Sequence, residues 1–250
     1  MIKIITPFVV LLVLVTLGFA QTTEPAQSAG TPAFSLSTGD VSRAELLMGK
    51  HIGKTMLRIA YSREKQAEFS KIAGGNLQKT VKIVLNGKVV SGMLVTKPEM
   101  GSYLDVIMDS MDEATENTAF AIAKALVNPM QTSGTSAPAV SPAPASDAVV
   151  FSLSSDQHIS KVVVVIFKAN SELEVTFPSQ EKIDEWARIT KDNIGKRLRI
   201  MLNGRLVQEE TIEKPGWGHV VKVEMASPEE AFEMAKALIN PTPQPETKTP

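Results

Sequence analysis

Three histidines, His51, His158 and His219, are the side chains best suited to proton transfer or metal ligation in this chain. No two of them stand at a metal-ligand spacing. Cysteine is absent. That removes disulfides, thiolate metal sites, cysteine nucleophiles and lipid attachment at a lipobox cysteine. No Gly-x-Ser-x-Gly elbow, phosphate-binding loop or dinucleotide fingerprint occurs. Glu64, Lys65 and Glu68 recur later as Glu181, Lys182 and Glu185. Carboxylates at that helical spacing can form an acid–base pair, or they can be solvated charge on an exposed face. No nucleophile, base and orienting group converge, so the sequence reads as non-enzymatic, with no cofactor and no metal.

The recurrence of that triad belongs to a larger pattern. Residues 76–90 align without a gap on residues 193–207, an offset of 117 (193 − 76). Residues 119–129 align on 231–241, where the offset is 112 (231 − 119). At the longer offset His51 stands opposite Lys168, His158 opposite Val41 and His219 opposite Ser102, so no histidine is shared. The duplication predicts two similar small domains, each large enough for its own core. Gly74-Gly75 aligns with Lys191-Asp192, which makes it a helix C-cap rather than a phosphate cradle.

Each copy shows the same elements. Phe34-Ser-Leu-Ser37 and Phe151-Ser-Leu-Ser154 read as opening strands. Residues 162–167 are a β-branched run and a buried strand; the counterpart around 44–48 is weaker and also fits a helix. Leu57, Ile59 and Tyr61 alternate, as do Leu173, Val175 and Phe177. Ser62 and Ser179 are N-caps of helices whose buried faces carry Phe69 and Ile72, or Ile183, Trp186 and Ile189. Asn86-Gly87 and Asn203-Gly204 stand between alternating apolar runs and predict type I′ hairpins. A last strand, 103–108 or 220–225, leads to a closing helix. In the second copy that helix opens on Ser227-Pro228-Glu229-Glu230, a capping box with proline at the first helical position. In the first copy Thr115 takes the place of Ser227. The expected class is α+β: two units, each a mainly antiparallel sheet of roughly five strands with two helices on one face.

Composition sets the surroundings of these units. A net charge of −1 gives no support to a nucleic-acid surface. Lys3, the apolar run 8–17 and the small residues Gly18 and Ala20 form a signal-peptide pattern, with cleavage between Ala20 and Gln21. The alternative is an uncleaved anchor, although the run falls short of the roughly 20 residues of a comfortable span. Both place the rest outside the cytoplasm, periplasmic or otherwise extracytoplasmic, with no further membrane span. The organisation expected is signal peptide 1–20, disordered linker 21–33, repeat 34–129, Ser/Ala/Pro-rich linker 130–147, repeat 148–241 and tail 242–250. The middle linker would let the repeats move independently.

The loop before the last strand holds Met100 in one copy and Trp217 in the other, followed by Gly101 and Gly218. Each caps a core edge or offers a large, adaptable contact to an extended peptide. Sheet edges offer a second mode, strand addition.

Residues 189–198 (Ile-Thr-Lys-Asp-Asn-Ile-Gly-Lys-Arg-Leu), the Asn203-Gly204 hairpin and Glu229-Glu230-Ala231 with Ala235 and Leu238 resemble the periplasmic head subdomain of SecD/SecDF protein-export proteins. The first copy keeps Ile72, Asn76, Lys79 and Asn86-Gly87, with Gln78 in place of the glycine. The small-Pro-Val run usual after that family's hairpin is replaced by Ser91-Gly92-Met93 and Gln208-Glu209-Glu210. The transmembrane bundle of that family has no counterpart. The resemblance implies the fold and a preprotein- or peptide-contacting surface, and it does not imply a translocation motor. The expectation is an exported, non-enzymatic binding protein of two such modules contacting polypeptide segments or an envelope partner. A structural or adaptor protein binding one folded partner is the alternative.

Overall fold

The computed structural model describes residues 31–49, 54–97, 101–108, 112–127, 148–157, 159–216 and 218–240. The proposed signal segment with Ala20 and Gln21, the 130–147 linker, the tail, His51, His158, Met100 and Trp217 lie outside the described residues.

The first half runs β1 (Ala33–Leu36), β2 (Val41–Met48), β3 (Met56–Tyr61), α1 (Arg63–Gly74), β4 (Thr80–Leu85), β5 (Lys88–Leu94), β6 (Tyr103–Ile107) and α2 (Glu113–Val127). The second repeats that order as β7 (Val149–Leu153), β8 (Val162–Phe167), β9 (Ser171–Thr176), α3 (Gln180–Asp192), β10 (Arg197–Leu202), β11 (Arg205–Thr211), β12 (Val220–Met225) and α4 (Pro228–Ile239). A single 3-10 turn, Ser155–Gln157, follows β7. The fold is α+β and rich in antiparallel pairs. Its arrangement goes beyond one sheet per half: each half has six strands, and they divide between two sheets.

Three strands of each half form a small sheet, β1-β4-β5 or β7-β10-β11, in which the opening strand runs parallel to its neighbour. The other six strands make one continuous sheet, β6-β3-β2-β8-β9-β12. Its centre is the antiparallel pair β2–β8, which joins the halves by backbone hydrogen bonds. The expectation of independently moving repeats is therefore corrected, because separating them would open a six-residue ladder through the hydrophobic core. The ambiguous segment around Ala44–Met48 resolves as strand: Ala44, Leu46 and Met48 are buried with period two.

The junction is two-fold. Leu46 lies beside Leu57, and Val164 beside Leu173, the matching residue, so Leu46 and Val164 are equivalent positions. They pair with each other. Above them α2 and α4 cover the same face, and the matched Phe120 and Phe232 (232 − 120 = 112) stack with ring centroids 4.3 Å apart and planes 3° apart. Ion pairs Lys124–Glu229 and Lys236–Glu113 (2.7 Å) bracket that stack.

Local chemistry explains the element ends. The Ser62, Ser179 and Ser227 hydroxyls accept from the amides of Lys65, Lys182 and Glu230, as hydroxyl caps should. The first-half closing helix starts earlier than expected: Asp112 Oδ1 accepts from Thr115 N at 2.7 Å, so Asp112 caps it and Thr115 lies inside. At the offset of 112 the counterpart of Pro228, the first residue of α4, is Glu116 (228 − 112), so Glu113, Ala114 and Thr115 add a turn to the helix just ahead of Glu116. Gly75 ends α1 with ordinary negative φ, and Gln78 (φ 62) takes the left-handed conformation that Gly195 (φ 85) adopts in the second half. Each half is centred on an aromatic trio. Phe34 lies 5.8 Å from Tyr61 and 4.5 Å from Phe69; Phe151 lies 5.5 Å from Phe177 and 4.9 Å from Trp186. Burying one such ring contributes about 1.5–3 kcal/mol.

Candidate functional site

The residues that looked chemical disperse. Lys65 pairs with Glu68 at 2.8 Å and Lys182 with Glu185 at 2.7 Å, both along helix surfaces. Glu64, on the exposed first turn, is held below the usual carboxylate range by the helix-start amides and the Ser62 cap. His219 is exposed, and its backbone carbonyl accepts from Phe177 N. Among the described residues no three His, Asp or Glu side chains group as metal ligands.

Both predicted hairpins form, with Asn86 and Asn203 at φ 46 and 48 and their glycines at 79 and 76. The asparagines also do something the turn signal did not show. Asn86 Oδ1 accepts from Thr38 N (3.1 Å) while its Nδ2 donates to the Ala125 carbonyl (3.2 Å). Asn203 Oδ1 accepts from Ser155 N (2.8 Å) and its Nδ2 donates to the Ala237 carbonyl (3.0 Å). Each thus fastens hairpin, strand entry and the last turn of the closing helix together. These residues are scaffold.

Three surfaces have the character of contact sites. The first is the face of the six-stranded sheet opposite α2 and α4. Leu47, Val163 and Val165 form a separate apolar cluster there, with Met56 and Phe167 packed on it. This second face accounts for the uninterrupted apolar run of β8, whose side chains are needed on both sides. Charged residues surround the cluster. Arg43 pairs with Glu45, and its guanidinium carbon lies 5.7 Å from the Tyr103 ring and 5.8 Å from Phe167. The Arg43 Nε is buried without a hydrogen-bond partner. Arg58 grips Asp105 in a two-point bond (2.7 and 3.0 Å), which raises the guanidinium pKa above its ordinary value. The matching pair in the second half is reversed in sign: Glu174 replaces Arg58 and Lys222 replaces Asp105. The Tyr103 side is open, with that residue 43% exposed.

The second surface is the pair of small sheets, whose outer faces differ. In the second half Glu209 on β11 accepts from Arg197 (2.8 Å) and Arg199 (2.9 Å), which hold its carboxyl below the usual range. In the first half the same three positions are Gly92, Thr80 and Lys82. A Cβ on Gly92 would come within 2.9 Å of Thr80 Cγ2. Val89 (62% exposed) and Leu94 (51%) are on the same strand.

The third is an open cleft of about 810 Å³ between α3 and the loop after β11, bounded by Trp186, Thr190, Ile212 and Gly216. Thr190 Oγ1 donates to the Trp186 carbonyl (2.9 Å) and accepts from Gly216 N (2.8 Å). The Gly216 Cα rests on the indole, since a Cβ would meet Trp186 Nε1 at 2.4 Å. The equivalent loop of the first half is reached by Tyr61, whose hydroxyl donates to the Gly101 carbonyl at 2.9 Å and whose pKa burial pushes up to about 12.

No helix among the described residues is long and apolar enough to cross a membrane. No family model and no curated protein matches the chain. Among solved structures, the crystal structure of SecDF in a super-membrane-facing form aligns over 84% of this chain and 30% of that one, with 14% identity and a TM-score of 0.29. This chain thus spans under a third of that protein's length, and at that score the fold description rests on the strand order and registers given above.

Proposed function

We propose that this is an extracytoplasmic, non-enzymatic binding protein whose two fused halves present the outer face of the six-stranded sheet to a polypeptide partner. The observation that carries the reading is the composition of that face. Leu47, Val163 and Val165 are themselves buried, at 3–4% exposure, with Met56 and Phe167 packed on them. The accessible part of the face is the surround of Met56, Phe167, Arg43, Arg58 and the exposed Tyr103, while both closing helices occupy the opposite side. Arginine and tyrosine beside a dry apolar centre are the side chains on which protein–protein binding energy concentrates. The alternating charges fix which partner orientation is accepted. The SecD-head-like motif residues support an envelope setting for the partner, as does the signal-peptide pattern at the N-terminus.

The test is photo-crosslinking from position 103 in the full chain, in cells exporting it. Discrete adducts with a polypeptide, lost on Arg43→Glu, are expected. A folded, exported protein that yields no adduct from position 103 would refute the reading.

A further inference from the structure

The two small sheets are equivalent in the repeat and opposite in how their free edges are treated. On β11 the edge carries Arg205, Glu209 and Glu210, and Glu209 is locked between Arg197 and Arg199. Charge on an edge strand is the ordinary defence against another chain adding to the sheet, because incoming backbone would have to desolvate it. On β5 the only charge is Lys88, and the neighbouring face carries only Lys82; neither has an acidic partner among the described residues.

Hydrogen-bond phase defines what β5 offers. Val95 N donates to Lys79 O, and the antiparallel register continues through Met93↔Val81 and Ser91↔Ile83. In such a ladder alternate residues bond inward, so those between them turn their amide and carbonyl the other way. Lys82 N confirms the phase by donating to Pro32 O, away from β5. Gly92 and Leu94 therefore direct N–H and C=O groups out of the free edge. Leu94 and Val89 flank the glycine, whose missing side chain leaves a notch over Thr80.

We propose that β5 is a strand-addition site for an extended polypeptide segment with apolar side chains alternating along it and an acidic residue able to meet Lys82, and that β11 is closed to the same ligand by the Arg197–Glu209–Arg199 network. The backbone groups of Gly92 and Leu94 hold the segment's main chain, Val89 and Leu94 receive its apolar side chains, and Lys82, paired across from Gly92 on the same face, selects its charge. This edge is separate from the outer face of the central sheet, so the site stands or falls independently of the partner surface proposed there.

Fluorescence anisotropy with the full chain and a labelled octapeptide of alternating valine and threonine, one central threonine replaced by aspartate, tests the proposal. Saturable binding is expected, weakened at least about tenfold when lysine replaces the aspartate. Two variants interrogate the edge. Leu94→Pro removes an outward amide that the protein's own ladder does not use. The triple variant Thr80→Arg, Lys82→Arg, Gly92→Glu transplants the network of the second half. Each should weaken binding at least about tenfold while keeping the wild-type circular dichroism spectrum. Should one variant fail to fold, the other decides. No binding by the wild type, or equal binding by a folded variant, overturns the assignment.

Discussion

Glu116 allows a sharp test of how a buried carboxyl is accommodated at the start of the closing helix. It is 1% exposed, on the core-facing stripe of α2, and neither carboxylate oxygen has a hydrogen-bond partner. Burial raises its pKa above the ordinary 4.5; Lys236 opposes the shift, while Glu113 and Asp112 reinforce it. Lys236 is already engaged by Glu113 at 2.7 Å, so its compensation is partial. A carboxyl whose folded pKa lies above its unfolded one binds protons more tightly when folded. Its contribution to stability is thus fully present below pH 4.5 and is lost as pH rises through the elevated folded value. A buried, unpartnered carboxylate is costlier than a neutral amide in the same place, because charged groups carry the larger desolvation penalty, by about 1–3 kcal/mol. Glu116→Gln removes the charge at nearly constant volume. It should therefore stabilise the protein at neutral pH by about 1–3 kcal/mol, which at about 2–4 °C per kcal/mol for a chain of this size is about 2–12 °C in Tm. Calorimetry at pH 7.5 and pH 4 measures both halves of the statement, since the advantage should shrink at the lower pH. A glutamine variant less stable than wild type at neutral pH would refute the reasoning and indicate that the carboxylate is paired.

Other consequences can be measured directly. Gln78→Gly relieves a left-handed non-glycine residue and should stabilise by about 0.5–1 kcal/mol in urea denaturation, whereas Gly195→Gln should cost a similar amount. Asn203→Gly keeps the positive φ of the hairpin but removes the bonds to Ser155 and Ala237; a loss of about 1–2 kcal/mol is expected by the same method. Gly216→Ala drives a methyl into the Trp186 indole, so a loss of about 1–3 kcal/mol and a shift in tryptophan emission should appear together.

Legibility in the sequence followed the range of the interaction. The Asn-Gly hairpins and the three serine caps depend on residues within a few positions of one another, and they stand where the sequence put them. The shared sheet did not show, because β2–β8 pairing joins residues more than a hundred positions apart and leaves no local signature. One trace was present. Residues 162–167 are apolar on both faces, which a sheet covered only by helices on one side does not need. The Asp112 cap was missed because the insertion moved the helix start away from the aligned threonine. The edge contrast of β5 and β11 was legible only as a difference, Gly92 against Glu209, and it required the register to show that these residues face a free edge. Met100 and Trp217 lie outside the described residues.

The two-fold junction has a consequence for how such a chain can diverge. A pair of separate identical subunits joined through one strand must keep every change compatible with itself, because any substitution appears on both sides of the axis. Here the partners are encoded separately: Arg43 faces Phe167, and Arg58–Asp105 answers Glu174–Lys222. Joining them in one polypeptide also removes the association penalty of about 4–15 kcal/mol that two free subunits would meet, replacing it with a loop closure that grows only logarithmically with length. Assembly is then independent of concentration, and dilution cannot take the halves apart. Such a molecule can keep one edge defended and leave the other bare without risking the association that holds it together.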